Sequence, residues 1–265
     1  MAEQELVLWR VDEGVGHVTL NRPDAGNAIN TVLALQLRAA IDAACNADIG
    51  AVLLSSTGKQ YCAGGDIQEF AQRRSDLEQL IREMLDILHP AIHRLVSLPV
   101  PVVSALHAPV GGAGISLALC ADIVLASTAM KLRGGYSAIG LTPDLGAAWY
   151  LARRAGAAKA KYILMTNKPV SAEECLRLGL VDELHSADEL LPAARRLAAD
   201  LASGATAALG NIKRLCDNAQ PLELHSHLER ERLALLRCAQ TADSREGIAA
   251  FMERRAPYFT DERID

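Results

Sequence analysis

The sequence of 265 residues lacks the features that mark several common classes of protein. Its six cysteines form no C-x-x-C pair, so neither a disulfide framework nor a zinc site is expected. Free thiols of this kind are typical of a reducing compartment. The 27 lysine and arginine residues are outnumbered by 32 aspartate and glutamate residues, and no long basic patch occurs. This charge balance disfavours nucleic acid as the main partner.

Nucleotide-binding and membrane-spanning motifs are also missing. No G-x-x-x-x-G-K-[ST] loop is present, and the frame starting at Gly112 has Leu117 where a G-x-G-x-x-G fingerprint needs its third glycine. The N-terminal residues have no apolar stretch of the signal-peptide kind. Residues 95–121 carry no Asp, Glu, Lys or Arg, but prolines and a glycine cluster interrupt them. We therefore expect a cytoplasmic protein with no membrane partner and no nucleotide cofactor.

The pattern of apolar residues predicts an α/β core followed by a helical C-terminal part. Strands are predicted at residues 15–20, 51–56, 101–105 and 123–126, and an amphipathic helix capped by Asn30 at 32–45. After residue 143 the patterns are mostly helical, and one helix is predicted at 145–155. Half of the residues are hydrophobic, enough for one large domain or one domain with an appendage.

Two glycine-rich turns are the most informative feature. Residues 63–66 and 111–114 each follow a predicted strand and open a predicted helix. Backbone N–H groups at a helix N-terminus lack partners within the helix, and the helix dipole there favours negative charge. One such turn is most often only a connection. Two turns aimed at one point would form a two-donor oxyanion hole for a carbonyl that gains charge during a reaction.

A set of motifs, taken together, resembles the enoyl-CoA hydratase/isomerase (crotonase) family. In chain order they are NRPD and NAIN at 21–30, YCAGGDI at 61–67, PVV through CADI at 101–123, GLVD at 179–182 and FMERR at 251–255. The resemblance implies a spiral of ββα repeats at residues 1–190. It also implies a helical region at 191–265 that builds a homotrimer or a dimer of trimers. The implied substrate is an acyl-CoA thioester, with no separate cofactor and no metal.

The resemblance also assigns roles to individual residues. It implies that the backbone N–H groups of Gly65 and Ala113 hold the thioester oxygen, as the two turns suggest independently. It places Arg254 near the adenosine end of a neighbouring subunit's CoA. Asp66 is also expected to cap the helix after the first turn. The predicted substrate-binding residues are Ala28, Ala63, Gly64, Asp66, Ile67, Gly112, Ser116, Tyr136, Trp149 and Arg254.

The choice of reaction depends on three positions. Family hydratases use two glutamates to handle a water, and this chain has Ser116 and Tyr136 at those places. Serine and tyrosine are poor replacements, because their unperturbed pKa values lie far above neutrality. Asp144 matches the acidic residue of certain isomerases, including ring-1,2-epoxyphenylacetyl-CoA isomerases. We therefore predict an isomerase of an enoyl-CoA or a related unsaturated or epoxy thioester, in which Asp144 is the single base and the oxyanion hole stabilises an enolate. The residues leave open whether a double bond migrates or an epoxide ring expands.

Other interpretations of these positions stay open. A Pro-Asp pair just before a helix is also typical of an N-cap, which would give Asp144 a structural role only. The alternative functions are an enoyl-CoA hydratase of fatty-acid β-oxidation and an acyl-CoA-binding protein without turnover.

Overall fold

The computed structural model describes residues 4–219 and 222–260. Within those residues the strands are β1 (Val7–Asp12), β2 (Val15–Leu20), β3 (Ala51–Ser56), β4 (Val102–Leu106), β5 (Val110–Gly111), β6 (Ile123–Ser127), β7 (Lys131–Arg133), β8 (Val170–Ser171) and β9 (Glu183–His185). The helices are α1 (Thr31–Asn46), α2 (Ile67–Gln72), α3 (Leu77–Val96), α4 (Gly114–Leu119), α5 (Ala147–Ala155), α6 (Ala157–Thr166), α7 (Ala172–Arg177), α8 (Leu190–Ala202), α9 (Thr206–Asp217), α10 (Leu224–Cys238) and α11 (Ala242–Glu253).

The main sheet has six strands in the order β1-β2-β3-β4-β6-β9. The pair β1–β2 is antiparallel, and the other neighbours in this sheet are parallel. Strand β4 is buried along its whole length. A parallel strand covered on both faces favours apolar side chains at successive positions, and Ser104 is the one polar residue of β4. A smaller sheet of three strands has the order β5-β7-β8. The predicted α/β architecture with a helical C-terminal region is confirmed.

Helices cover both faces of the main sheet. Helices α1 and α3 pack together on one face and contribute to the larger core. Helix α8 covers the other face through a stripe of small residues at a spacing of four, which ends at Ala202. The carbonyl of Ala202 approaches Gly50 so closely that a Cβ there would lie 2.4 Å from it. The division at residue 190 stays a prediction, and the packing of α8 on the sheet favours grouping this helix with the core.

The predicted and observed elements agree best where the apolar pattern is strong. Strands β2 and β3 have the predicted bounds. Helix α1 begins one residue earlier than predicted, and the Asn30 side chain accepts a hydrogen bond from the Leu33 N–H, as expected of its cap. Strands β1, β5, β7 and β8 were not predicted. Two of them contain only two residues each, which is too short for a recognisable alternation.

Helices α9 to α11 follow the core. A buried ion pair ties α9 to the sheet, with the Lys213 Nζ 2.8 Å from Asp122 Oδ2 and 3.2 Å from the Val100 carbonyl. Helices α10 and α11 leave many large apolar side chains exposed. None of the helices formed by the described residues is long and apolar enough to cross a membrane.

Candidate active site

The two glycine-rich turns meet backbone to backbone. A Cβ added to Gly64 would lie 3.1 Å from the Gly112 Cα and 3.2 Å from the Ala113 nitrogen. Gly64 has a φ of +99° and Gly112 a φ of +51°, both in the region that glycine adopts most easily. The close approach and the positive φ values explain why these positions hold glycine. The juxtaposition that the sequence suggested is therefore present.

The geometry leaves the N–H groups of Gly65 on the first turn and Ala113 on the second turn free to bind a ligand. The Ile29 N–H donates to the Gly64 carbonyl at 2.7 Å, and the Asp66 N–H donates to the Ile29 carbonyl at 2.9 Å. In such a parallel bridge the N–H of the intervening Gly65 faces away from Ile29. Ala113 is the N-cap of α4, where N–H groups have no helical acceptor. Within the described residues neither the Gly65 nor the Ala113 N–H donates to an acceptor of this chain.

One small cavity brings these donors together with Asp144. Its volume is about 30 Å³, and it is partly open to solvent. Asp144 is the one titratable side chain that lines this cavity within the described part of the chain. The lining residues are Ile29, Gly65, Phe70, Ile81, Met84, Leu85, Leu88, Ala113, Asp144 and Leu145. The three residues predicted to be catalytic thus border the same space.

The surroundings of Asp144 suit a general base. Burial raises the pKa of its carboxyl group, and hydrogen bonds, chiefly the one from Tyr136, offset only part of that rise. The Tyr136 hydroxyl donates to Asp144 Oδ1 at 2.7 Å. A carboxylate with a raised pKa binds a proton more tightly than an ordinary one, which favours proton abstraction from carbon.

The two positions that hold glutamates in family hydratases both contact Asp144 here. The buried Ser116 donates its hydroxyl proton to the backbone carbonyl of Asp144 at 2.9 Å. Tyr136 is buried as well, and burial together with the negative charge of Asp144 raises its pKa, so its hydroxyl stays protonated. Both side chains therefore act as hydrogen-bond donors that hold Asp144 in place.

The N-cap interpretation of Asp144 is wrong. Helix α5 begins at Ala147, two residues later than predicted, and its N-cap is Gly146, with no side-chain cap. Leu145 and Gly146 have φ values of +47° and +94°, which no α-helix can include. The Asp144 carbonyl, not its carboxylate, accepts the Ala147 N–H at 2.9 Å. The carboxylate instead lines the cavity and accepts the hydrogen bond from Tyr136.

Asp66 caps α2 as predicted. Its Oδ1 accepts the N–H groups of Gln68 at 2.8 Å and Glu69 at 3.3 Å. Its Oδ2 lies 2.5 Å from Arg22, whose guanidinium also donates to the Ala28 carbonyl at 2.8 Å. Burial raises the pKa of Asp66, but these hydrogen bonds outweigh it and hold the pKa below its usual range. Asp66 and Arg22 thus fix the turn that carries Gly65.

Some predicted substrate contacts lie away from the cavity. Trp149 is 55% exposed and does not line it, because it follows the buried Ala147 by two residues and points from the opposite face of α5. The guanidinium of Arg153 lies 4.5 Å from the centre of the Trp149 ring. Arg254 ends α11 on the surface, and its role toward a neighbouring subunit stays a prediction.

Ala63 and Ile67 are exposed beside the first turn, and their substrate contacts also stay predictions.

The sequence reasoning missed the apolar wall of the cavity. Ile81, Met84 and Leu88 follow helical spacing on α3, and Phe70 extends from α2. That spacing was visible, but it is equally typical of a helix face that packs on a core. Across residues 4–219 and 222–260, no group of three or more His, Cys, Asp or Glu side chains is arranged to hold a metal ion.

Comparison with known proteins gives one consistent result. A family model described as enoyl-CoA hydratase/isomerase matches residues 10–262. The chain is 34% identical over 258 residues to the 1,2-epoxyphenylacetyl-CoA isomerase of Escherichia coli, covering 97% of this chain and 98% of the relative. It is 33% identical over 254 residues to a probable enoyl-CoA hydratase of Rhodobacter capsulatus, covering 96% and 97%. A crystal structure of a putative enoyl-CoA hydratase/isomerase from Mycobacterium abscessus superposes with a TM-score of 0.93 at 31% identity, covering 96% of this chain and 99% of that one.

Proposed function

The chain belongs to the enoyl-CoA hydratase/isomerase family, and we propose that it is an isomerase that moves a double bond within an acyl-CoA thioester. One observation carries the proposal. Asp144 is the sole titratable side chain that lines the cavity within the described residues, and the Gly65 and Ala113 N–H groups border the same space. A single base beside two oxyanion donors suffices for proton transfer between two carbons, whereas hydration needs further acid–base groups.

The proposed reaction begins with a β,γ-unsaturated thioester. Its carbonyl oxygen accepts hydrogen bonds from the Gly65 and Ala113 N–H groups. The Asp144 carboxylate removes a proton from the α-carbon, and the electron pair of that C–H bond delocalises over the carbonyl and the double bond. The resulting dienolate then takes the same proton at its γ-carbon. The product is the α,β-unsaturated thioester, and Asp144 is again ionised.

The site offers little support for hydration. Tyr136 and Ser116 are both committed as donors to Asp144. The raised pKa of Tyr136 prevents its hydroxyl from serving as a base for water near neutral pH. The probable hydratase of R. capsulatus, at 33% identity, nevertheless makes hydration the reaction against which the proposal is tested.

A panel of acyl-CoA thioesters tests the proposal. We expect 3-enoyl-CoA to be converted to 2-enoyl-CoA, seen as a gain in ultraviolet absorbance without a change in mass. Hydration of crotonyl-CoA, seen as a gain of the mass of water, should be at least about a hundredfold slower than this isomerisation, because the acid–base pair for water is missing. Rapid, saturable hydration with no isomerisation would show that the assignment is wrong. Binding of the thioesters without any turnover would favour the non-catalytic alternative.

The variant Tyr136→Phe tests how Asp144 is controlled. The isomerase needs the ionised carboxylate, so kcat/KM should fall as pH decreases through an apparent pKa above the ordinary aspartate value of about 3.9. The Tyr136 hydrogen bond lowers that pKa, and its loss should raise the pKa and move the acid limb to higher pH. Tyr162→Phe, at an exposed tyrosine of α6, is the control and should leave the profile unchanged. An acid limb of Tyr136→Phe that coincides with the wild type would contradict this account.

We also propose that the chain forms a trimer or a dimer of trimers through its C-terminal helices. Phe251, Met252 and Ile248 are 83%, 76% and 68% exposed on α11. Apolar side chains grouped in this way mark a surface that another protein covers. Light scattering at micromolar concentration should give a mass of three or six chains, and Phe251→Glu should lower it. A monomeric wild type at that concentration would contradict the proposal.

A further inference from the structure

The cavity beside Asp144 is made almost entirely of hydrocarbon. None of the side chains that line it within the described residues can donate a hydrogen bond when Asp144 is ionised. The two free N–H groups are reserved for the thioester oxygen in the proposed reaction. A carboxylate or epoxide oxygen on the acyl group can only accept hydrogen bonds, so it would lose its hydrogen bonds to water without replacement. This lining favours an acyl group that carries no polar substituent.

The cavity is also small. Its volume of about 30 Å³ is roughly a tenth of the ~300 Å³ at the lower end for small-molecule pockets. The space admits a few carbon atoms beyond the thioester. A longer chain or an aromatic ring fits inside the cavity only if one of the walls moves.

The walls differ in their freedom to move. The Phe70 ring lies against Gly65, since a Cβ on that glycine would be 2.8 Å from the ring. Glu69, the preceding residue, fixes α2 to the start of α1 by accepting hydrogen bonds from the Thr31 N–H at 2.9 Å and its hydroxyl at 2.8 Å. The Phe70 wall is thus anchored beside the oxyanion donor.

Met84 forms the wall on α3. It is only 6% exposed and, in the described part of the chain, it is the one unbranched aliphatic side chain that lines the cavity. Methionine combines three rotatable bonds with a flexible thioether, whereas the leucine and isoleucine neighbours are more restricted. A longer acyl chain would therefore have to displace Met84 first.

We infer that the enzyme selects thioesters of short, unsubstituted aliphatic acids, and that Met84 sets the limit on acyl-chain length. The inference rests on the proposed function, since it takes the cavity beside Asp144 as the acyl site. Met84 acts here as a specificity-determining residue that contacts the acyl chain and takes no part in proton transfer.

The test measures binding, so that it does not depend on turnover. Calorimetry with saturated thioesters should show that the wild type binds butyryl-CoA more tightly than octanoyl-CoA or phenylacetyl-CoA. Succinyl-CoA, whose acyl chain has four carbons like butyryl-CoA but ends in a carboxylate, should bind about tenfold or more weakly, because that carboxylate finds no hydrogen-bond donor among the lining side chains. Equal affinity for butyryl-CoA and either octanoyl-CoA or succinyl-CoA would overturn the inference.

Variants of α3 separate a specific role from a general packing effect. Met84→Ala should bind octanoyl-CoA about tenfold or more tightly than the wild type, and Met84→Phe should weaken hexanoyl-CoA while butyryl-CoA still binds. Leu80→Ala is the matched control, because Leu80 is fully buried one helical turn earlier but does not line the cavity. Leu80→Ala should lose stability without changing the order of affinities. If Met84→Ala, Met84→Phe and the wild type all bind the acyl-CoAs in the same order of affinity, Met84 does not set the chain-length limit.

The two proposals fail in different ways. If the wild type binds short acyl-CoAs selectively but moves no double bond, the proposed reaction is wrong and the acyl selectivity is upheld. If it isomerises 3-enoyl-CoAs of every chain length at one rate, the reaction is upheld and the selectivity is overturned.

Discussion

Replacement of Asp144 by asparagine should lower the rate of isomerisation by at least about a hundredfold while the protein stays folded. Asparagine keeps the size of the side chain and can still accept the hydrogen bond from Tyr136, but it cannot remove a proton. Steady-state conversion of 3-enoyl-CoA to 2-enoyl-CoA, followed by absorbance, measures the loss. The effect should fall on kcat, because Asp144 acts on the reacting carbons and contributes little to holding CoA.

Stability gives an independent check on the same variant. A carboxyl group whose pKa is raised by burial lowers the stability of the folded state at any pH above that pKa, where it must ionise. The asparagine side chain carries no charge, so the free energy of unfolding of Asp144→Asn at pH 7 should equal or exceed that of the wild type. Asp86→Asn, at an exposed position of α3, is the control and should keep full activity. A stable Asp144→Asn enzyme with an undiminished rate would exclude Asp144 as the base.

Removal of one oxyanion donor should have an effect of similar size. Ala113 has a φ of −57°, within the range that proline adopts, so Ala113→Pro deletes the N–H with little change of that dihedral angle. Loss of a single donor of this kind costs about a hundred- to a thousandfold in turnover. The reduction should appear mainly in kcat, since the negative charge on the thioester oxygen develops during the reaction.

A second helix start provides a matched control for the proline. Ala157 follows Gly156, which has a φ of +80°, just as Ala113 follows Gly112 with its positive φ. Ala157 is the first residue of α6, where proline is tolerated, and it is exposed. Ala157→Pro should therefore keep a near-normal rate. A correctly folded Ala113→Pro protein with the same near-normal rate would remove the Ala113 N–H from the mechanism.

The sequence predicted the two turns well because their geometry is local. Gly64 and Gly112 stand where the backbone turns sharply, and each lies between a strand and a helix that the apolar pattern reveals. The meeting of the turns follows once β3 and β4 pair as parallel neighbours, since the ends of parallel strands lie at one edge of the sheet. The prediction that Asp66 caps α2 succeeded for the same reason, because the cap involves only the next few residues of the chain.

The sequence could not predict the environment of Asp144. Its hydrogen bonds come from Tyr136, eight residues before it, and Ser116, 28 residues before it, and no periodic pattern links them. The N-cap interpretation failed because Leu145, an apolar residue of good helix propensity, adopts a positive φ. Tertiary packing overrides local preference there, and such strained residues cluster at active sites. Trp149 is exposed because it lies on the face of α5 opposite the buried Ala147, and the sequence did not show which face the core would cover.

The most direct test of the central claim follows the fate of the α-hydrogens. A 3-enoyl-CoA carrying two deuterium atoms on its α-carbon is converted in ordinary water, and the 2-enoyl-CoA product is analysed by mass spectrometry. If Asp144 carries a deuteron from the α-carbon to the γ-carbon between the apolar walls of the cavity, faster than the carboxyl group exchanges with water, a measurable fraction of the product keeps both deuterium atoms. A product that always retains only one would contradict transfer by a single shielded base.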